Sequence, residues 1–87
     1  MKVANKNMTV MWKNEAKGPY KWHHTYMMQS LEGDLYIWTT TVSGGCGDVP
    51  SVGDRITILT SDLLGETSLQ DDQKLIRITK VKWEKQS

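Results

Sequence analysis

The spacing of apolar residues is the feature that most constrains how this chain folds. No ten-residue stretch keeps apolar side chains at positions i, i+3, i+4 and i+7, which is the spacing of an amphipathic helix. Threonine, aliphatic and aromatic residues instead concentrate in short runs between glycine, proline and acidic residues, a pattern typical of strands. We predict five strands, at Met8–Lys13, Tyr20–Gln29, Leu35–Val42, Arg55–Thr60 and Lys74–Trp83.

The connections between these strands predict an all-β barrel. Leu31-Glu32-Gly33-Asp34 is expected to close a hairpin between the second and third strands. The glycine-rich segment 43–51 and the acidic segment 61–73 are expected to be loops, the second with a short helical turn near Asp62. Closing five short strands into a small barrel hides their edges, and we therefore expect that architecture.

Composition places the chain among ordinary globular domains. The chain has 87 residues, of which 38% are hydrophobic and 24% are charged, and this mixture argues against a disordered tail or a disulfide scaffold. Cys46 is the single cysteine, which fits a reducing compartment. No apolar run approaches the length of a membrane helix or the core of a signal peptide. We expect one domain over residues 1–87, soluble and cytoplasmic, in the host cytoplasm if a phage encodes it.

The formal net charge of +1 hides an uneven distribution. Residues 1–24 carry five lysines against one glutamate, and residues 73–87 carry five basic residues against one glutamate. Residues 25–72 carry one arginine against eight acidic residues. If the fold brings the first and last strands together, the two basic segments form one patch, and such a patch favours an anionic partner.

Three segments carry a pattern found in a known group of domains. Residues 20–28 are rich in aromatic side chains, residues 32–40 end in a tryptophan and two threonines, and residues 52–58 make an apolar-x-Gly-Asp step into the next strand. This pattern resembles the OB-fold domains of phage and mobile-element replication proteins. The resemblance implies a small five-stranded OB-fold-like barrel that binds single-stranded nucleic acid on its second and third strands. An SH3-like barrel also fits five strands, but the long second and third strands favour the OB arrangement.

The length of the hairpin turn decides which side chains face the core. With a two- or four-residue turn, Leu35 and Ile37 point inward, and Tyr36 and Trp38 point outward. With a three-residue turn that ends in a left-handed Gly33, Tyr36 and Trp38 instead share one face with the other large aromatic residues of the hairpin. These are Tyr20, Trp22 and Tyr26. The aliphatic character of Leu35 and Ile37 favours the first arrangement, so we expect Tyr36 and Trp38 to form an exposed stacking platform.

The candidate nucleic-acid-binding residues combine rings for base stacking with cations for phosphates. They are Lys13, Lys17, Lys21, Trp22, His23, Tyr36, Trp38, Arg77 and Lys80. Trp12 and Trp83 lie on the outer strands, and we assign them structural roles. Asp62, Glu66, Asp71 and Asp72 are interpreted as a solvated acidic loop.

The residues give little support to catalysis or metal binding. His23 and His24 are adjacent, so on a strand they point to opposite faces and cannot share one ion. Cys46 has no accompanying catalytic motif. We therefore expect a protein that is not an enzyme and that uses no cofactor and no metal.

Two functions of different classes fit these observations. The first is a module that binds single-stranded DNA, or RNA, without sequence specificity and as a monomer or a homodimer. The alternative is a small phage-type inhibitor or adaptor that docks on a host protein through its acidic surface, including the loop 62–72. Neither function involves a membrane.

Overall fold

In the residues that the structure describes, the regular structure consists of five strands and one short 3-10 turn. A computed structural model describes residues 2–19, 21–43 and 49–86. The strands are β1 (Lys2–Lys17), β2 (Lys21–Ser30), β3 (Leu35–Ser43), β4 (Arg55–Ser68) and β5 (Lys74–Lys85), and the 3-10 turn spans Gln70–Asp72. The predicted all-β class, with a short helical turn between the fourth and fifth strands, is confirmed.

The strands close into a barrel in the order β1-β2-β3-β5-β4. β1 completes the barrel because its first part, Lys2–Thr9, pairs with β4, while Met8–Lys17 pairs with β2. β3 and β5 run parallel where Leu35–Trp38 lies beside Leu75–Ile78. Closure pairs β1 with β4 over Lys2–Thr9, which covers the edges that an open five-stranded sheet exposes in that part of the barrel, and the predicted small barrel is confirmed.

β4 is longer than the sequence pattern predicted. The acidic segment after Thr60 is not a loop, because the strand continues to Ser68 and pairs antiparallel with β5. Cross-strand charge supports this pairing, since the Lys74 Nζ atom lies 3.0 Å from Glu66 Oε1. The helical turn expected near Asp62 is therefore wrong in position, and the 3-10 turn lies at Gln70–Asp72 instead.

β1 also begins earlier than predicted, at Lys2 rather than Met8. In the expected glycine-rich loop, residues 49–51 are irregular, and residues 44–48, with Cys46, lie outside the described residues. Tyr20, which was grouped with the aromatic residues of the hairpin, also lies outside them.

The turn between β2 and β3 has three residues and ends in a left-handed glycine. Ser30 N donates to Asp34 O at 2.9 Å, and Gly33 N donates to Ser30 O at 3.0 Å. Gly33 has a φ angle of +97°, a backbone conformation that is unfavourable for residues other than glycine. The resulting register places Tyr36 opposite Met28 and Trp38 opposite Tyr26.

This register turns the large aromatic residues into the barrel. Tyr36 and Trp38 are 2% and 5% exposed, and the rings of Tyr26 and Trp38 stack with their centroids 5.0 Å apart. The prediction that Tyr36 and Trp38 point outward is therefore wrong, because it assumed a turn of even length. The buried core consists of Met8, Val10, Tyr26, Met28, Tyr36, Trp38, Ile56, Ile58, Ile76 and Ile78.

Replacing Trp38 with alanine is expected to destabilise the fold by about 3–5 kcal/mol, because it empties the space that the indole fills against Tyr26. Urea denaturation followed by circular dichroism measures the change in the free energy of unfolding. The matched control is Leu64→Ala on β4, where the side chain is 63% exposed and the expected change is within about 0.5 kcal/mol. Equal stability of the two variants would contradict the inward orientation of Trp38.

Candidate nucleic-acid interface

The outer surface of β1, β2, β3 and β5 forms a continuous face, here called the outer face. Its central row crosses the four strands, because Trp12 pairs with Met27, Met27 with Ile37, and Ile37 with Arg77. Trp12 and Arg77 are exposed, and Met27 and Ile37 are half-buried. This row combines an accessible indole, two apolar side chains and a guanidinium group.

Trp12 faces outward because of an irregularity in β1. Met8 and Val10 are buried, so simple alternation places Trp12 inside the barrel as well. The register between β1 and β2 shifts by one residue between Val10 and Trp12, which inserts Met11 as an extra residue. As a result, Met11 and Trp12 are 51% and 50% exposed. The indole of Trp12 is therefore not part of the core, and the structural role expected for Trp12 stays a prediction.

The Arg77 side chain extends from β5 over a glycine of β4, the neighbour of β5 on the side away from β3. Gly65 pairs with Arg77, and a Cβ atom at Gly65 would lie 2.8 Å from Arg77 Nη2. The guanidinium group thus occupies the space that a larger residue at position 65 would fill. No acidic side chain lies within ion-pair distance of Arg77 among the described residues.

A polar zone lies between the central row and the β1–β2 turn. Thr25 and Thr39 face each other across β2 and β3, with their hydroxyl oxygens 3.4 Å apart. His23 follows on the same face of β2, and its ring packs against Gly18, where an added Cβ atom would lie 2.9 Å from His23 Nε2. Lys21 is exposed at the end of the strand, beside the turn.

The face of the β1–β2 hairpin opposite the outer face carries a separate cluster of polar and aromatic groups. Lys13 Nζ lies 2.8 Å from Glu15 Oε1 and 5.6 Å from the centre of the Tyr26 ring. Glu15 Oε1 is also 3.6 Å from His24 Nδ1, which is buried and has no hydrogen-bond partner in the described part of the chain. Further along, Lys17 Nζ lies 6.0 Å from the centre of the Trp22 ring.

The pKa values of three groups in this cluster are shifted. The hydrogen bond from Lys13 holds the pKa of the Glu15 carboxyl below its usual value and raises the pKa of the Lys13 ammonium. Burial raises the pKa of the Tyr26 hydroxyl. At neutral pH, Lys13 and Glu15 are therefore fully charged, and Tyr26 is neutral.

The structure divides the sequence-predicted site residues into four groups. Lys21, His23 and Arg77 lie on the outer face. Lys13, Lys17 and Trp22 lie on the opposite face of the hairpin, and Tyr36 and Trp38 lie in the core. Lys80 lies on the half of β5 that pairs with β4 and not with β3. The predicted constellation is therefore not brought together, and sequence reasoning missed Trp12, Met27 and Ile37.

The first and last strands do not form the single basic patch that was considered. β4 lies between β1 and β5 in the barrel, and its acidic side chains and those of the turns pair with lysines of both strands. These pairs are Lys6–Glu32, Lys74–Glu66, Lys80–Asp62 and Lys85–Asp54, with N–O distances from 2.8 to 3.9 Å. Much of the opposite charge therefore cancels locally.

The remaining charge is separated along the barrel. Lys17 and Lys21, at the β1–β2 turn, have no ion-pair partner within the described ranges. At the other end, the turns after β2 and β4 lie together, because Gln73 Nε2 donates to Gly33 O at 2.9 Å. Asp34, Asp71 and Asp72 line a cleft of about 440 Å³ there. The β1–β2 turn is therefore basic, with Lys21 on the outer face and Lys17 on the opposite face, and the other end of the barrel carries the acidic cleft.

Comparison with protein-family models, with curated proteins and with solved structures finds no match for this chain. In the part of the chain that the structure describes, no group of three or more histidine, cysteine, aspartate or glutamate residues is arranged to hold a metal ion. The same residues include no helix long and apolar enough to cross a membrane.

Replacing Lys13 with glutamine is expected to raise the pKa of Glu15 toward its ordinary value, because the variant removes the hydrogen bond that favours the carboxylate. A lowered folded-state pKa stabilises the fold above the unfolded-state pKa, and this stabilisation is lost as the pH falls through the folded-state pKa. The variant is therefore expected to be less stable than the wild type at neutral pH, and this difference is expected to decrease in acid. NMR titration of the Glu15 carboxyl carbon measures the shift. The control Lys82→Gln is expected to leave the pKa of Glu15 unchanged. A Glu15 pKa that is the same in Lys13→Gln as in the wild type would contradict the ion pair.

Proposed function

We propose that this protein binds single-stranded nucleic acid on its outer face, without reading the base sequence. The observation that carries the proposal is the central row of the outer face. The half-exposed Trp12 lies at one end of this row, and Arg77 lies at the other end. Bases of any identity stack on an accessible ring, and unpaired cations attract phosphates. The outer face offers both groups on one surface.

The architecture agrees with this use of the outer face. OB-folds are five-stranded barrels that bind oligonucleotides with the face of the second and third strands and with the loops beside it. Here Met27 on β2 and Ile37 on β3 occupy the middle of that face. The resemblance of residues 20–58 to phage and mobile-element replication domains supports the same function, and a role in replication stays a prediction.

Trp12 replaces Tyr36 and Trp38 as the proposed stacking residue. Tyr36 and Trp38 cannot contact a base without opening the core, since both are buried. Trp12 stands beside Met27 and Ile37, whose half-buried side chains provide apolar contact for a base stacked on the indole. The ligand is therefore proposed to lie across β1 and β2 rather than on β3 alone.

Electrostatics favour the basic half of the outer face. Lys21 attracts the phosphate backbone on the outer face near the β1–β2 turn, and Lys17 adds positive charge from the opposite face, whereas Asp71 and Asp72 repel it at the other end. A strand that stacks on Trp12 is therefore expected to extend toward His23 and the turn. The footprint is short, on the order of the smallest sites of single OB-folds, about four nucleotides.

Trp12→Ala is expected to weaken binding of an unstructured thymine oligonucleotide by about 1–3 kcal/mol, which is the contribution of one stacked base. Fluorescence anisotropy of a labelled oligonucleotide measures the affinity without depending on the removed tryptophan. The fold is expected to stay intact because half of the side chain is exposed. The control Leu64→Ala removes an exposed apolar side chain of β4 and leaves the affinity unchanged.

A flat anisotropy signal for the wild type at low salt would contradict the proposed function. The acidic end, with Asp71 and Asp72, would then become the candidate surface, and a basic protein partner would be the ligand to seek. Binding that Trp12→Ala does not weaken would show that nucleic acid uses another surface of the barrel.

Arg77→Gln is expected to reduce the salt dependence of binding, because one phosphate contact is lost. For single strands, the slope of log affinity against log salt concentration decreases by about 0.7 for each contact. Anisotropy titrations at four or five salt concentrations measure the slope. The control Lys82→Gln removes a cation from the half of β5 beside β4 and keeps the wild-type slope. An unchanged slope in Arg77→Gln would exclude Arg77 from the interface.

A further inference from the structure

The second part of β1 has one edge that no described strand covers. β4 pairs with β1 only as far as Thr9, whereas β2 continues along β1 to Lys17. At the boundary, Val10 bonds to the backbone of Gly53 and Asp54. Among the described residues, the segment Met11–Lys17, here called the free edge, therefore has a partner strand only on the β2 side, and most of its side chains are exposed. Unpaired strand edges are templates for pairing with another chain.

The hydrogen bonds of the β1–β2 hairpin determine which backbone groups the free edge presents. Gly18 N donates to Lys21 O at 2.8 Å, so the residue pair next to the turn is a hydrogen-bonded pair. Such pairs alternate along an antiparallel ladder, and Ala16 and Asn14 therefore bond to β2. The N–H and C=O groups of Lys13, Glu15 and Lys17 point away from β2, where they are free to pair with another strand.

The charges on the free edge select one partner and one register. Charges of one sign protect an edge against self-pairing, but here Lys13, Glu15 and Lys17 alternate in sign. In an antiparallel pair of two copies centred on Asn14, each Lys13 lies directly opposite Glu15 of the second copy. Registers centred on Lys13 or on Glu15 place like charges opposite each other, which is destabilising.

A register centred on Ala16 is also disfavoured. It places Pro19, which has no N–H group, opposite Lys13. The register centred on Asn14 fits in a further respect, because it puts Trp12 on the outer face opposite Ala16 of the second copy. Ala16 has the smallest side chain of the free edge, and it leaves room for the indole.

We infer that two copies of this chain pair antiparallel through Met11–Lys17 of β1, with Asn14 on the twofold axis. Lys13 and Glu15 of each copy form hydrogen-bonded residue pairs with Glu15 and Lys13 of the other. The four side chains alternate in sign around the axis, and each carboxylate lies between two ammonium groups. The dimer is small in area, so it is weak and concentration-dependent.

Sedimentation equilibrium from micromolar to millimolar concentration tests this dimer in the absence of nucleic acid, so its outcome is independent of the proposed function. The variants Lys13→Glu and Glu15→Lys each place like charges opposite each other in both pairs of the dimer. Each is expected to weaken dimerisation by about tenfold or more. The double variant exchanges the two charges, restores opposite signs across the axis and is expected to recover wild-type dimerisation.

Lys82→Glu is the matched control, because it changes the charge of an exposed lysine away from the free edge and leaves dimerisation unchanged. Circular dichroism of every variant checks that the barrel is folded. A wild type that stays monomeric at millimolar concentration would overturn the inference. So would a dimer that the single variants do not weaken or that the double variant does not recover, because the interface would then lie elsewhere.

Discussion

The three-residue turn that ends at Gly33 is the constraint on which the barrel depends. Its left-handed φ angle of +97° allows Ser30 and Asp34 to close the turn, and this closure fixes the register of β2 against β3. A shift of one residue moves every side chain of a strand to the other face. The turn therefore decides that Tyr36 and Trp38 fill the barrel and that Leu35 and Ile37 lie outside it.

The turn at Gly33 places Trp38 inside the barrel, whereas the extra residue in β1 places Trp12 outside it. Alternation from Met8 and Val10 leads inward to Trp12, but the insertion of Met11 turns Trp12 to the outer face and brings Lys13 over the Tyr26 ring. One local irregularity therefore supplies both the exposed indole and the polar cluster on the opposite face. Its cost is a break in the ladder between β1 and β2, at the point where β4 ceases to pair with β1.

Much of the fold could be predicted from the sequence, because strand periodicity is local. β2 and β3 were located to within one residue at each end, and the start of β5 was located at Lys74. The extension of β4 to Ser68 could not be predicted from the sequence. The residues there are polar, and they form a strand because β5 pairs with them. The turn length was weighed correctly as an alternative, but the aliphatic character of Leu35 and Ile37 favoured the wrong one.

The candidate site could be predicted only in part. Lys21, His23 and Arg77 were identified as candidates and lie on the outer face, because exposed charged side chains keep their solvent orientation in most registers. Trp12 could not be identified, because nothing in Val10-Met11-Trp12 marks the extra residue. The buried pair Tyr36 and Trp38 was thus predicted as an exposed platform, whereas the exposed indole of Trp12 was not among the predicted binding residues.

The two proposals combine in a way that net charge does not predict. In the proposed dimer, the free edges run antiparallel about Asn14, so the β1–β2 turns of the two copies lie on opposite sides of the axis and the acidic ends lie farther out. Trp12 and Lys21 of both copies then lie on one continuous outer face. Each half binds weakly, but two linked sites bind a strand long enough to span them more tightly than either site alone. A dimer of this chain, whose net charge is +1, thereby carries two exposed tryptophans and two exposed lysines on one surface.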